Sequence, residues 1–389
     1  MKKHTFSPAG WFRRNWMGCA VLLAAVVVFT AAMLAVRPAQ EDSVQPEEYA
    51  EYETAKVLQI LADDTSQDPA DDGGWRGQQL LLAEVTSGQY AGETLQVYNY
   101  VGPLYGEPLR EGDSAVLLIS TYEDGTHTAT VFEYNRLVPL CIVVALFLLA
   151  AVLVGGKTGA KSLLGLAVTL ATLFFVLIPA LIKGAPTLVT VFACCAFIAV
   201  VTMTILGGVQ RKTVCAMLGA IAGTAVAMVF AILAQQLTRI SGLRLTDVEP
   251  LLQLRQAGSS IGLRGLLTAG IMVGTLGAVL DVTMGLASSL CEISAANPAL
   301  TRGQLFRSGM NVGRDMVGTM TNTLVLAFLG SSFTLILYFS TLNLSATQLI
   351  SSSFFSVELI SAVASSVGVI LAIPLTALIT ATALRSGKN

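Results

Sequence analysis

Histidine is nearly missing from this chain: of 389 residues only His4 and His127 carry an imidazole, and they lie far apart. A histidine-built metal centre and a Ser-His-Asp triad are set aside on that ground. Charge is scarce too. Asp, Glu, Lys and Arg make up 12% of the chain, against roughly 25% in an ordinary soluble domain. The net charge is −2 and the basic residues are scattered at the ends of apolar segments, which gives no surface for a nucleic acid. Six cysteines are present, but none falls in 37–136. All lie in or beside apolar segments, without zinc-site spacing to a histidine, and behave as small buried hydrophobes. No metal and no cofactor is expected.

What the chain does have is length of apolar sequence, with 54% of its residues hydrophobic. Crossing the hydrocarbon layer takes about 20 helical residues. Eight runs qualify: 16–36, 137–154, 162–182, 186–206, 213–234, 265–290, 315–340 and 354–380. The last three exceed the need and are expected to tilt, kink or protrude, with Pro374 a natural kink. The first run has a basic start like a signal peptide. It is longer than a typical apolar signal core and lacks a clean small-residue cleavage site, so a retained anchor is expected.

Lys and Arg placement sets the orientation. Lys2, Lys3, Arg13 and Arg14 precede the first run, and Lys157 and Lys161 join the second to the third. Arg211 and Lys212 join the fourth to the fifth, Arg302, Arg307 and Arg314 the sixth to the seventh, and Arg385 and Lys388 follow the eighth. All share one side if eight runs span, so both termini are expected in the cytoplasm. The outward connection 235–264 fits less well, since it carries Arg239, Arg244, Arg255 and Arg264. The expected order is a cytoplasmic 1–15, a first transmembrane helix 16–36, an extracytoplasmic β-rich domain 37–136, a seven-helix domain 137–384 and a cytoplasmic 385–389.

Within 37–136, the segments 37–52 and 63–74 are acidic and loop-like. Strand character appears at Glu53–Leu61, Gln78–Thr86, Glu93–Val101, Ser114–Ser120 and His127–Tyr134, separated by Gly, Asp and Pro. Five short strands with such turns suggest a small antiparallel barrel of OB type. Its acidity excludes an oligonucleotide groove, leaving interaction or capping as its job. The fold class expected is therefore a mostly α, polytopic membrane bundle of about eight helices with a small all-β, OB-like extracytoplasmic domain.

One residue stands out in the bundle. Asp281 is the sole charged side chain between Gly265 and Leu290. An acid there either faces water within the bilayer or is neutral, and such groups are functional candidates. The alternative is a buried structural acid bonded to a neighbouring span. Thr319, Thr321, Asn322 and Thr323 open the next apolar stretch with hydroxyl and amide groups able to bond Asp281 across a helix interface. Glu358, near the outer start of the eighth run, is either a helix-dipole partner or part of a polar path. Between the sixth and seventh runs, Asn297-Pro298 signals a turn, and Thr301-Arg302-Gly303-Gln304 matches a capping box. The helix it starts carries Arg302, Arg307 and Arg314 and is expected at the inner surface, as an anchor on anionic lipid. Asp315, beside Arg314, is expected as an interfacial ion pair. Gly270 with Gly274, and Gly219 with Gly223, have the spacing of close helix contacts.

These residues carry a resemblance. The segments 276–282, Asn297-Pro298, Leu300-Thr301-Arg302, 305–315, 318–324 and 371–376 resemble the YibE/F family of bacterial membrane proteins. The resemblance covers nearly the whole chain and implies a multi-span protein of the plasma membrane. A fainter likeness, an acid late in one span, a basic connecting helix and a Thr-rich following span, is similar to the transmembrane half of SecD and SecF. It implies that Asp281 is a proton site. Three readings stay open: a proton- or ion-coupled transporter or export accessory factor, a non-catalytic scaffold presenting the outer domain, and an intramembrane protease using Asp281 and Asp315 as a shared-proton dyad. The last lacks a Gly-x-Gly-Asp motif, and no enzyme activity is expected. The partners expected are the lipid bilayer and a protein or substrate that the sequence does not identify, in an oligomeric state it does not set.

Overall fold

The computed structural model describes residues 8–36, 50–69, 74–103, 105–121, 127–240, 252, 263, 265–342 and 344–385. The acidic segment 37–49 and most of the outward connection, 241–251 and 253–262, lie outside the described residues. The chain divides into two compact units, Gln40–Ala150 and Met1–Ala39 with Ala151–Asn389.

The described residues of the first unit form six strands: β1 (Ala50–Asp63), β2 (Ser66–Asp68), β3 (Gly74–Val85), β4 (Thr94–Val101), β5 (Ser114–Thr121) and β6 (His127–Tyr134). The five expected strands are all present. The 63–74 segment, expected as a loop, instead contributes β2, which pairs with the start of β3. The cause is local: the Thr65 backbone amide and hydroxyl both donate to Asp63 Oδ1, at 2.9 and 2.6 Å, and turn the chain back on itself. The ring closes in the order β1, β3, β4, β6, β5 and back to β1, with β4 and β6 parallel. Register shifts at Val57/Gln59 and Ile60/Ala62 bend β1, so that its first half pairs with β5 and its second with β3. Alternate residues point inward, among them Leu81, Ala83, Val85, Val97, Leu117 and Ile119, and fill a small β-barrel.

The barrel interior also holds two amides. Gln79 and Asn99 are almost fully buried. Asn99 Nδ2 donates to Gln79 Oε1 at 3.0 Å, and so does the Leu109 amide at 2.9 Å. Gln79 Nε2 donates to Asp63 Oδ2 at 2.9 Å and to the Leu109 carbonyl at 3.2 Å. Every polar atom of the Gln79 side chain is thereby partnered, as burial requires.

Helices make up the rest: α1 (Pro8–Val36), α2 (Leu137–Thr172), α3 (Ile178–Ile182), α4 (Thr187–Gly207), α5 (Arg211–Thr238), α6 (Leu266–Ala296), α7 (Arg302–Ser331), α8 (Phe333–Thr341), α9 (Ala346–Ser351) and α10 (Ser353–Arg385). A π-helical turn, Leu173–Leu177, joins α2 to α3. Among the described residues five segments are long and apolar enough to cross a membrane: Leu137–Ile182, α4, α5, α6 and α10. A sixth is counted if α7 and α8, bent by 61° at Ser332, form one broken span. Eight were expected. The first expected run lies within the 29-residue α1, and the second and third lie on either side of a break in Leu137–Ile182. That segment is interrupted at Gly156, where φ is 53° and ψ is −133°. A Cβ at Gly159 would overlap the Ala151 carbonyl, a residue some 12 Å away in an unbroken helix. The backbone doubles back there.

Packing centres on α10, which touches α5, α6 and α7, while α4 leans on α5 and α6. Glycine permits the α5–α10 approach: a Cβ at Gly223 would sit 2.6 Å from Ala372 Cβ, and one at Gly219 would strike the Thr376 hydroxyl. The Gly219/Gly223 expectation thus finds its neighbour. Gly270 and Gly274 do not: a Cβ at Gly270 meets nothing within 4 Å, and one at Gly274 meets only Phe328 Cζ at 3.7 Å. Pro374 lies inside a helix that continues through it.

Candidate functional site

Asp281 is the central residue of the 31-residue α6, ~22 Å from either end. One side of that helix is packed: Ile271, Met272, Leu276, Val279, Val282 and Leu286 are buried. The other side carries Gly270, Gly274, Gly277 and Asp281, all exposed and spaced four, three and four residues apart. That spacing is one helical face. The carboxylate therefore sits on a strip of bare backbone outside the core. Among the described residues it makes no side-chain hydrogen bond and no ion pair.

The neighbouring α7 starts where expected. Thr301 caps it by accepting from the Gln304 amide at 3.3 Å, while Gln304 Oε1 accepts from the Thr301 amide at 2.9 Å. The helix that begins there runs unbroken from Arg302 to Ser331 and carries the basic residues and the apolar stretch on one element. The capping box starts the helix, and no proline interrupts it before the apolar stretch. Its first half packs, burying Leu305, Gly309 and Gly313. Between Arg314 and Ser331 no residue is fully buried.

Two contacts set the register of α6 against α7. A Cβ at Gly285 would lie 3.1 Å from Met316 Cε, and one at Gly274 lies near Phe328. The helices are antiparallel, and Asp281 is level with the turn holding Thr319 to Asn322. The structure thus brings the acid and the Thr/Asn group to one depth. It does not join them. Thr319 and Thr323 donate to backbone carbonyls of their own helix, Thr323 to Thr319 at 2.9 Å. Thr321 Oγ1 is buried with no partner among the described residues, and Asn322 is exposed. Among the described residues no hydrogen bond crosses to Asp281: the Thr319 and Thr323 hydroxyls are satisfied on the preceding turn of their own helix.

The remaining candidates are dispersed. Arg302, Arg307, Arg314 and Asp315 are all exposed on α7, and no ion pair links Arg314 to Asp315 among the described residues. Asp315 precedes Met316, so it is displaced from Asp281 by at least one turn, ~6 Å. Glu358, half-buried in the second turn of α10, lines an apolar pocket with Phe328, Ser332, Leu335 and Phe355, at the α7–α8 bend. Asp281 is not in that pocket.

Other polar contacts escaped the sequence. Gln235 on α5 donates to Thr268 at 2.6 Å, and Thr275 to Ser365 on α10 at 2.9 Å, inside the bundle. Single Thr and Ser residues at helical spacing were the only signal. Arg385 donates to the Pro298 and Asn297 carbonyls at 2.9 and 3.4 Å, tying the end of α10 to the α6–α7 turn. Cys194, Cys195 and Cys215 are buried free thiols, and no cluster of three metal-binding side chains occurs among the described residues.

A family model described as YibE/F-like protein matches residues 143–386, which include α4 to α10 in full. No curated protein and no solved structure matches the chain.

Proposed function

The chain belongs to the YibE/F-like family, and from that premise we propose that it is a multi-pass bacterial cell-membrane protein in which Asp281 couples proton or ion movement to transport or export. One observation carries this reading. A carboxylate stands halfway along a membrane-length helix, on a face that the bundle leaves open. Holding a charge at such depth costs roughly 2.5–3.5 kcal/mol, so an idle acid would be replaced readily. Thr319, Asn322 and Thr323, level with it on α7, supply the polar lining. Arg302 and Arg307 hold the inner face, both termini are cytoplasmic, and the barrel, OB-like in its strand order, lies outside. The partners proposed are the bilayer and an exported or transported substrate.

Reaction of Asp281 with a water-soluble carbodiimide, read by peptide mass spectrometry on protein in vesicles, tests this. Modification at Asp281 supports the reading. A site sealed to the reagent at every pH overturns it.

The barrel supports a second reading as a scaffold. Tyr98, Tyr100 and Tyr105 are exposed, with ring centroids 6.4 and 6.3 Å apart in succession, an aromatic patch suited to recognition. Under that reading Asp281→Asn is silent and deletion of 40–134 abolishes function.

A further inference from the structure

The open face of α6 and α7 contains both a hydrogen-bond acceptor and its donor, at one depth and unpaired. Asp281 accepts but has no partner among the described residues, while the exposed Asn322 amide donates and has none either. Around them the surface is made of small residues: Gly270, Gly274 and Gly277 on α6, with Gly318, Ala327 and Gly330 on α7, all exposed. A Cβ added at Gly270, Gly277, Gly318 or Gly330 meets nothing within 4 Å. Among the described residues these four glycines pack against nothing. In lipid, where exclusion of water does not drive helices together, small residues matter because they let two backbones approach and polar side chains bond across the contact.

We infer that this face is the contact between two copies of the chain, paired about a two-fold axis along the membrane normal. Such an axis preserves depth. It sets α6 of one copy against α7 of the other and lays Asp281 opposite the partner's Asn322, twice per dimer, as an isologous contact requires. A second copy suits the face better than a different protein, because donor and acceptor stand level on the same surface and each satisfies the other under that symmetry. Lipid satisfies neither. The inference rests on the coupling reading only in using the same carboxylate, whose site is incomplete in one chain: half of its polar wall comes from the partner.

The full-length protein is reconstituted in nanodiscs and its mass distribution measured across protein-to-disc ratios. A dimer is expected for the native chain, and Gly277→Leu or Gly318→Leu weakens dimerisation at least tenfold. Those positions have open space in the single chain, so the variants stay folded, which unchanged thermal unfolding of the monomer verifies. As a second measurement on a cysteine-free background, Gly277→Cys with Leu326→Cys gives a covalent dimer on oxidation, while Val229→Cys on the exposed side of α5 gives none. A native chain that is monomeric at every ratio overturns the pairing, as does a dimer that Gly277→Leu and Gly318→Leu leave intact. A dimer without proton flux sinks the coupling reading alone. Flux from a strict monomer sinks the pairing alone.

Discussion

Replacing Gln79 by Leu removes an amide that serves three buried partners in the barrel at once. Leucine keeps similar volume, so the loss is polar. The Leu109 amide, the Leu109 carbonyl and the Asn99 side chain each lose a hydrogen bond of 2.9–3.2 Å, and Asp63 loses one outside. A buried polar group left unsatisfied costs about 1–3 kcal/mol. Taken as partly overlapping, three such losses destabilise the barrel by roughly 3–6 kcal/mol, a large share of the 5–15 kcal/mol that holds a typical domain. Hydrogen exchange on the intact protein reads this directly. Amides of β3 and β4 should exchange about 10²–10⁴ times faster, since each 1.4 kcal/mol is tenfold. The double variant Gln79→Leu with Asn99→Leu should recover part of the loss, because removing both members of a pair is milder than stranding one. Exchange within threefold of the native protein for the single variant would refute the network's structural weight.

In the bundle, Gly223→Leu should lower the unfolding temperature in detergent and shift far more than Gly277→Leu. Its Cβ alone would sit 2.6 Å from Ala372 Cβ, and overpacking costs about 1–3 kcal/mol or more. Thr301→Ala should cost about 1 kcal/mol and speed exchange at the Gln304 amide, by removing half of the capping box. Hydrogen bonds from the Thr65 hydroxyl, then Gln79, then the Thr65 amide hold the Asp63 carboxyl below its ordinary pKa. That group therefore adds stability above its unfolded value which is lost as pH falls through the lower folded value. Barrel stability should drop as pH falls below about 4, and Asp63→Asn, measured by acid titration of barrel fluorescence, should flatten that drop.

The barrel's five main strands were legible because period-two alternation and Gly or Asp turns are local signals. β2 was hidden by its composition, Ser66-Gln67-Asp68, whose pairing depends on an Asp63 turn. The capping box at Thr301 was legible for the same reason as the strands: its chemistry is confined to four residues. Span count was harder. The expected runs 137–154 and 162–182 fall on either side of Gly156, where the chain turns back, but the Ser332 bend that divides the α7–α8 pair leaves no mark in hydropathy. Asp281 could be singled out by its isolation in sequence, yet which way it faces depends on which side of α6 meets α10. The Gly270/Gly274 pair shows the same limit: its spacing announced a close contact without saying whether the neighbour lies in the same chain.

Proton flux through vesicles carrying the purified protein, followed with a trapped pH dye under an imposed gradient, tests the central role of Asp281 most directly. The account predicts flux from the native chain and its loss, to no more than a few per cent, in Asp281→Asn, with expression, folding and mass distribution unchanged. Equal flux from the two proteins would contradict it.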